Sequence, residues 1–377
     1  MTSAFDPIEL FGRTLPNRIV MAPMSRARAD AVTGRVGAST ALYYRQRASA
    51  GFIVSEAIFP SEAARGQPSA PGLYDDDQIG PWRAVTEAAH HEDGVIVGQL
   101  MHTGRIGHPA NLADGLPPQA PSRVRADHQV VTPQGLQACV EPRAMTGREI
   151  EHTIDAYAKA ARRMVEAGFD GLEIHAANGY LAHQFLSSHT NHREDRWGGT
   201  VSNRIRFVTE LVEAVSEVFG ARRVGVQISP GNDFNDMRDP EADLVYPALV
   251  TELNRADIAY LAVSEAPDNT LVAELRRQWA GPFLLNPRTG PRCTSEEDLA
   301  IVERGEADLI SIGRMFIANP DLPRRLAQGG PFNALRPEGF YGGTDEGYVD
   351  YPALPLQPSS SGSVEQSAAQ ARSIDLR

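Results

Sequence analysis

Short apolar runs rich in β-branched residues recur eight times along the chain, and a helical pattern follows each of them. The runs show no alternation of polar and apolar residues, which is typical of parallel strands covered on both faces. The intervening segments repeat apolar residues at three- and four-residue spacing, as amphipathic helices do. The predicted strands are Arg18–Met21, Phe52–Ser55, Val95–Leu100, Gly171–His175, Val224–Ile228, Ile258–Val263, Phe283–Leu285 and Leu309–Ile312.

Eight strands that alternate with eight helices predict an α/β fold, the (β/α)8 or TIM barrel. A doubly wound parallel sheet is the alternative, but it normally opens with a glycine-rich phosphate loop, and neither common form of that motif occurs here. Thr146 and Glu149 resemble a capping box, and Gly168, Gly220 and Gly305 stand where helices end. The predicted helices are Gly37–Ala50, Gln78–Glu92, Arg148–Ala167, Ser202–Phe219, Glu241–Arg255, Thr270–Trp279, Thr294–Arg304 and Asp321–Ala327.

One domain is expected over residues 1–355. Between the third and fourth strands, residues 101–146 are too long for a plain connection, so we expect a lid-like capping insertion there. Within it, Val124–Val140 alternates as a hairpin over the barrel mouth would. Residues 356–377 turn to Ser, Gln, Ala and Gly, which predicts a disordered tail.

The composition excludes several classes of function. A net charge of −12, from 36 Lys and Arg against 48 Asp and Glu, argues against a nucleic-acid partner. The two cysteines, Cys139 and Cys293, are too few for a disulfide framework, an iron–sulfur cluster or a thiolate zinc site. No apolar run is long enough to span a membrane, and the N-terminus does not resemble a signal peptide. We therefore expect a cytoplasmic protein.

Active residues of such barrels lie at the C-terminal ends of the strands, so the residues just past each predicted strand are candidates. This set contains one charged side chain, Arg314, and no pair of carboxylates, which argues against two-acid glycoside hydrolysis. The histidine pairs of the chain lack acidic or thiolate neighbours at ligand spacing, so no metal site is predicted. The candidates are Pro23, Met24, Ser25, Ala57, Gln99, His102, His175, Asn178, Tyr180, Gln227, Ser264, Asn286, Gly313 and Arg314.

The segment His175-Ala-Ala-Asn-Gly-Tyr180 is the most informative. His175 and Asn178, on the turn after a strand, can point two neutral donors at one oxygen, as an oxyanion-binding site does. Tyr180 can supply a proton as a general acid. Taken alone, such a trio is more often structural than functional, but its position after strand four favours function.

A second signal is Ser311-Ile-Gly-Arg314 at the end of strand eight. Glycine lets backbone N–H groups approach an anion, and arginine offers a bidentate fork. TIM barrels commonly hold a phosphate after strands seven and eight. This segment therefore favours a phosphorylated ligand.

In these residues, and in the stretches quoted below, the chain resembles the Old Yellow Enzyme family of FMN-dependent ene-reductases, up to about Pro352. Within that family it looks closer to the classical branch, related to bacterial N-ethylmaleimide and pentaerythritol tetranitrate reductases. The matching stretches are NRIVMAPMSRARA (17–29), YYRQRASAGFIVSEA (43–57), GQLMHTGRIGHP (98–109), EAGFDGLEIHAANGYLAHQFLSSHTNHREDRWGGTVSNRIRF (166–207), AYLAVSE (259–265), DLISIGRMFIANPDL (308–322) and FYGGTDEGYVDYP (340–352).

The resemblance implies a non-covalent FMN at the barrel mouth, reduced by NADPH or NADH, which passes a hydride to the β-carbon of an activated alkene. Substrates would be small α,β-unsaturated carbonyls, maleimides or nitroalkenes. His175 and Asn178 would bind the substrate oxygen, and Tyr180 would protonate the α-carbon. The resemblance assigns FMN contacts to Pro23, Met24, Ser25, Ala57, Gln99, Gln227, Gly290, Gly313, Arg314 and Tyr341, and substrate contacts to Met101 and Gln67.

Three departures from the family pattern bear on these expectations. Gln227 replaces an arginine that lies beside N1 and O2 of the flavin. Met101 and Gln67 stand where the family has aromatic residues, which affects substrate preference. The loop after strand seven, residues 284–294, is longer than the family's glycine-rich phosphate turn. In this loop an arginine, at 288 or 292, is an alternative phosphate contact to Gly290.

Two other functions remain open from the sequence. A flavin-binding barrel with weak or lost hydride-transfer activity is the alternative, because Gln227 removes a cation. A flavin-free lyase would need a Schiff-base lysine at a strand end, and the single lysine, Lys159, falls inside a predicted helix.

Overall fold

The structure, a computed structural model, describes residues 2–112, 115–266, 270–290 and 292–355. Eight parallel strands close into a barrel in chain order, and the eighth pairs with the first. This confirms the (β/α)8 barrel and excludes the doubly wound sheet. The barrel strands are Ile19–Met21, Phe52–Ile58, Ile96–Leu100, Gly171–Ala176, Val224–Ile228, Tyr260–Ser264, Phe283–Asn286 and Leu309–Ile312.

Helices alternate with these strands as predicted. The first ends earlier than expected, at Arg45 instead of Ala50, because the chain turns there to enter the second strand. Two short helices that follow strands four and eight directly were not predicted, because five or six residues are too few to show a helical period. The helices are Ala38–Arg45, Ile79–His90, Gly147–Glu166, Leu181–Leu186, Val201–Phe219, Ala242–Arg255, Thr270–Gln278, Glu296–Glu303, Arg314–Ala318 and Leu322–Ala327.

The predicted helix ends are confirmed by their hydrogen bonds and backbone angles. The Thr146 hydroxyl accepts from the backbone N–H of Glu149, and the Glu149 carboxylate accepts from the N–H of Thr146. This reciprocal pair is the capping box. Gly168, Gly220 and Gly305 have φ values of +85°, +87° and +72°, which disfavour other residues at these positions.

The insertion after strand three contains the predicted hairpin in a shorter form, Gln129–Thr132 paired with Gly135–Ala138. Val130 and Cys139 of this hairpin segment pack against Ile106 and the ring of Tyr180. Outside the hairpin, Gln119–Ala120 pairs with Arg143–Ala144. The predicted disordered tail, 356–377, lies outside the described residues.

An N-terminal hairpin, Ile8–Leu10 with Arg13–Leu15, was not predicted. Its turn residue Phe11 packs edge-on against Phe52 and Tyr260, with ring centroids 5.5 and 6.0 Å apart. The apolar side chains of this hairpin join inward-facing residues of six barrel strands in one cluster. One end of the barrel interior is therefore filled with apolar side chains, and the polar residues gather at the other end. In the described part of the chain, each helix is too short or too polar to cross a membrane.

Arg47 follows the first helix and is completely buried. It connects this helix to the segment that follows the eighth strand. Its guanidinium donates to the carbonyls of Phe316, Ile317 and Tyr43, each at 2.8 Å, and stacks on the Tyr43 ring. Phe316 and Ile317 belong to the short helix that begins at Arg314. Arg47 thus holds the segment after strand eight against the first helix.

We expect Arg47→Met to lower the free energy of unfolding by about 3 kcal/mol or more, because three buried carbonyls lose a charged donor. Equilibrium unfolding in urea measures this loss. Arg45→Met is the matched control, since Arg45 is half-exposed and pairs with Glu92 at the surface. Such a pair contributes less than about 1 kcal/mol. Equal losses in the two variants would contradict the role given to Arg47.

Candidate active site

A cleft opens at the C-terminal ends of the barrel strands and continues outward past strands seven and eight. All the residues that the resemblance assigns to cofactor, substrate or catalysis line this cleft. The inner part holds Pro23, Ser25, Ala57, Gln99, Met101, His175, Asn178, Tyr180 and Gln227. The outer part adds Met24, Gln67, Gly290, Gly313, Arg314 and Tyr341.

His102 is the exception among the strand-end candidates. Its side chain is buried, and its Nδ1 accepts from the backbone N–H of Gly104 at 3.0 Å. Burial lowers the pKa of the ring to about 3, so the ring is neutral. His102 supports the turn after strand three and does not line the cleft, because the following Gly104 takes a left-handed φ of +61° that folds the chain back on it.

The floor of the cleft is a hydrogen-bonded layer of neutral side chains from neighbouring strands. The Gln99 amide donates to Gln227 Oε1 at 2.9 Å, and the Gln227 amide donates to Ser264 Oγ at 3.0 Å. His175 Nδ1 lies 2.5 Å from Gln227 Oε1 and 3.2 Å from Gln99 Nε2. Strand register explains the contact, since His175 pairs directly with Gln227.

A buried acid, Glu173, lies beneath this layer and was missed by the sequence analysis. The Gln99 amide donates to its Oε1 and the Tyr260 hydroxyl donates to its Oε2, both at 2.8 Å. Burial raises the pKa of Glu173 to about 7, against the smaller opposite effect of these two donors. One acidic residue inside an apolar strand pattern was the signal that could have identified it.

His175 is neutral at pH 7, because burial lowers its pKa to about 4. Its ring lies 5.4 Å from that of Tyr180. The contacts with Gln227 and Gln99 use Nδ1. Among the described residues none hydrogen-bonds Nε2, so this nitrogen is left for a ligand in the cleft.

Asn178 takes a left-handed conformation, with φ +54°. Its backbone is held from both sides, since its N–H donates to Ser229 Oγ at 2.7 Å and its carbonyl accepts from Asn235. The Asn232 amide donates to Asn178 Oδ1, which leaves Nδ2 of Asn178 to donate elsewhere. Asn232 and Asn235 lie in the irregular loop after strand five, whose sequence shows no pattern that singles them out.

Tyr180 begins the short helix Leu181–Leu186, directly after Gly179. Gly179 has φ +76°, and a Cβ there would lie 2.7 Å from the Cβ of Asn235. Its N–H donates to Nδ1 of the buried His183, which in turn contacts Asp239. Burial raises the pKa of Tyr180, so its phenol stays protonated at neutral pH and can donate a proton.

The outer cleft carries the cationic end of the site. A Cβ on Gly290 would lie 3.7 Å from the Arg314 guanidinium, so the loops after strands seven and eight meet there. Arg292 is engaged by Asp298 in a bidentate ion pair. Arg314 has no such partner among the described residues, which leaves its guanidinium to bind an anion. Of the alternatives named from the sequence, Arg292 is therefore a poor phosphate contact.

Gln227 has no cationic hydrogen-bond partner among the described residues. Within the described residues, the side chains that hydrogen-bond Gln227 are Gln99, His175 and Ser264. The three hydrogen-bond partners of Gln227 are thus all neutral side chains.

The cleft therefore combines a neutral hydrogen-bonding edge, two further donors beside it and a free guanidinium at its outer end. FMN needs these features, since its ring has a polar pyrimidine edge and its chain ends in a phosphate. The residues present fit this cofactor.

Comparisons with known proteins agree. The model of the NADH:flavin oxidoreductase / NADH oxidase family matches residues 3–333. A probable flavin mononucleotide-dependent alkene reductase of Leishmania infantum is 36% identical, over 92% of this chain and 96% of the relative. Morphinone reductase in complex with tetrahydroNAD superposes with a TM-score of 0.89 at 38% identity, covering 94% of this chain and 98% of that one. An Old Yellow Enzyme homologue from Zymomonas mobilis gives 0.89 at 40% identity, covering 94% and 100%.

The fold and the cleft define an FMN-dependent oxidoreductase built on a TIM barrel. The chain belongs to the NADH:flavin oxidoreductase family, to which the Old Yellow Enzymes belong. FMN is its cofactor and NAD(P)H its reductant, as the resemblance implied.

Proposed function

We propose that this chain reduces the activated C=C bond of small α,β-unsaturated carbonyls, maleimides or nitroalkenes. The observation that carries the proposal is the convergence of His175 Nε2, Asn178 Nδ2 and the Tyr180 phenol on one cleft. Residues 1–355 act in this proposal as one FMN-binding domain, with 101–146 as its capping insertion. A cytoplasmic location is part of the same proposal.

The substrate oxygen binds between His175 and Asn178. Both groups are neutral, and the surroundings fix both, His175 through Gln227 and Asn178 through Asn232. When the hydrogen of His175 is on Nε2, the two side chains are donors that stabilise the negative charge that develops on this oxygen as the alkene is reduced. They also polarise the alkene, which makes the β-carbon electrophilic.

Tyr180 supplies the proton for the α-carbon. Its phenol is protonated across the physiological range, and the ring packs against the insertion hairpin and beside His175. A half-buried phenol that remains protonated is suited to act as a general acid.

The cofactor is held along the cleft by the residues predicted for it. Ser25, Gln99 and Gln227 offer neutral donors and acceptors to the pyrimidine edge, and Pro23, Met24 and Ala57 offer apolar surface. Gly290, Gly313 and Arg314 hold the phosphate, and Tyr341 lies at the outer edge. Met101 and Gln67 contact the substrate. When bound, FMN would supply the redox chemistry, accepting electrons from NAD(P)H and providing the hydride for the β-carbon.

We expect His175→Ala or Asn178→Ala to slow the reduction of 2-cyclohexenone roughly 100-fold or more, as the loss of other oxyanion donors does. The assay is NADPH oxidation with a yellow, FMN-loaded protein. His192→Ala, in an exposed loop, is the control and should leave the rate unchanged. Wild-type turnover in the double alanine variant would refute the assignment. A wild-type protein that binds FMN but does not consume NADPH with this enone would favour the alternative of a flavin-binding barrel with lost activity.

Tyr180→Phe should slow the reduction of enones by about 100-fold or more, because the product needs a proton at the α-carbon. The reduction of nitroalkenes should suffer less, since a nitronate product is stable enough to leave and be protonated in water. Stopped-flow measurement of both substrate classes tests this difference. Equal losses on the two classes would mean that Tyr180 only shapes the pocket.

Gln227→Arg should raise the midpoint potential of bound FMN by about 10–40 mV. A charged donor beside the pyrimidine edge contributes roughly 0.5–2 kcal/mol more than a neutral amide, and about 30 mV corresponds to ~1.4 kcal/mol for two electrons. Gln227→Met, which adds no charge, is the control. Spectroelectrochemistry of both variants measures the shift, and a lowered potential in the arginine variant would contradict the expectation.

A further inference from the structure

Glu173 and His175 lie at opposite ends of a continuous chain of hydrogen bonds. From Glu173 the hydrogen bonds continue through the amides of Gln99 and Gln227 to His175 Nδ1. On its other side, Glu173 accepts from the Tyr260 hydroxyl. Gly225 makes room for it, since a Cβ there would lie 2.2 Å from the Tyr260 ring. The terminal amide of a glutamine can rotate by 180°, which exchanges its donor for its acceptor without changing its shape. Both links of the chain can therefore run in either direction.

An ionised Glu173 permits one direction only. Both carboxylate oxygens then accept, so Gln99 donates to Glu173 and to Gln227 Oε1. With its Oε1 turned inward, Gln227 accepts from His175 Nδ1, and its amide donates to Ser264. A neutral imidazole that carries its hydrogen on Nδ1 has a bare Nε2, which cannot donate to a ligand in the cleft.

A protonated Glu173 favours the opposite direction. If the Glu173 hydroxyl donates to Gln99, the Gln99 amide turns its oxygen inward and accepts from Gln227. The Gln227 amide then donates to His175 Nδ1 and accepts from the Ser264 hydroxyl. The hydrogen of His175 is left on Nε2, where it can donate. Placing the proton on the other oxygen of Glu173 would leave the buried Tyr260 hydroxyl without an acceptor, which is unfavourable.

We propose that Glu173 is a positioning residue whose proton selects, through Gln99 and Gln227, which ring nitrogen of His175 carries the hydrogen. This inference rests on the proposed function, since it is the Nε2–H form that binds the substrate oxygen. Protonated Glu173 gives the competent form and ionised Glu173 the incompetent one.

The groups that surround Glu173 and His175 are consistent with this proton-controlled change of the His175 tautomer. Strand three presents Gln99 to Glu173, strand five presents Gly225 and strand six presents Tyr260, while the cluster on the far side is apolar. Tyr260 is the titratable neighbour, and within the described residues no charged side chain acts on the carboxyl. Burial therefore raises the pKa of Glu173 to about 7. His175 faces Tyr180 and, farther off, the imidazole of His183.

The test follows the tautomer of His175 in the FMN-loaded full chain by nitrogen NMR of labelled histidine, between pH 5.5 and 9. The signal is assigned by its loss in His175→Ala. In the wild type we expect the hydrogen on Nε2 at low pH and on Nδ1 at high pH, with a midpoint near 7. Glu173→Gln should keep it on Nε2 throughout, because an amide there donates to Gln99 while its oxygen accepts from Tyr260. Glu217→Gln, on an exposed helix face, is the control and should keep the wild-type midpoint.

Tyr260→Phe is a second variant, which keeps the proposal testable if Glu173→Gln does not fold. It removes a donor to the carboxylate, so the midpoint should move to higher pH. A tautomer that does not change with pH in the wild type, or a midpoint unmoved in Tyr260→Phe, would overturn the inference.

The pH dependence of kcat/KM separates this inference from the proposed function. In the wild type it should fall up to tenfold per pH unit above the midpoint, and in Glu173→Gln this fall should vanish. If the tautomer changes as expected but kcat/KM does not follow, the switch is supported and the donor role of His175 is refuted.

Discussion

Polar side chains that point into a closed barrel have to satisfy one another's hydrogen bonds, because water is largely excluded there. In this chain Glu173 makes that requirement severe, since a buried acid needs two good partners or has to stay protonated. Gln99 and Tyr260 provide them, from the third and sixth strands. The same amide of Gln99 then reaches the floor of the cleft. The packing of the core and the orientation of His175 are consequently parts of one network.

Closure of the barrel also brings together the two ends of the cleft. The eighth strand pairs with the first, so Gly313 approaches Met24, with a Cβ position 3.5 Å from its sulfur. The guanidinium of Arg47 fixes the segment that begins at Arg314 from behind, through carbonyls of the short helix there. The end of the cleft proposed to bind the phosphate thus rests on a buried cation, Arg47, whose hydrogen bonds are already used, while the Arg314 guanidinium has no such partner among the described residues.

The sequence predicts best what depends on regular repetition. Eight apolar runs predicted the barrel, and the position of His175, Asn178 and Tyr180 after the fourth run predicted the cleft that the structure contains. The sequence is a poor predictor of features that depend on contacts between strands far apart in the chain. Glu173 sits in an apolar run and resembles any core position until Gln99 and Tyr260 are seen beside it. The loop that holds Asn178 shows no periodicity, so Asn232 and Asn235 could not be singled out.

Gln227, at the position where the resemblance to the family implies an arginine, connects the two electrostatic features of the site. An arginine there would place a permanent cation one side chain away from Glu173, hold the carboxyl ionised and leave no acceptor to turn toward His175. Glutamine is neutral and can present either atom. Burial raises the pKa of Glu173 to about 7 in this chain, and among the described residues no charged side chain opposes that effect. Without a cation at position 227, the amides of Gln99 and Gln227 are free to reorient when Glu173 gains or loses its proton.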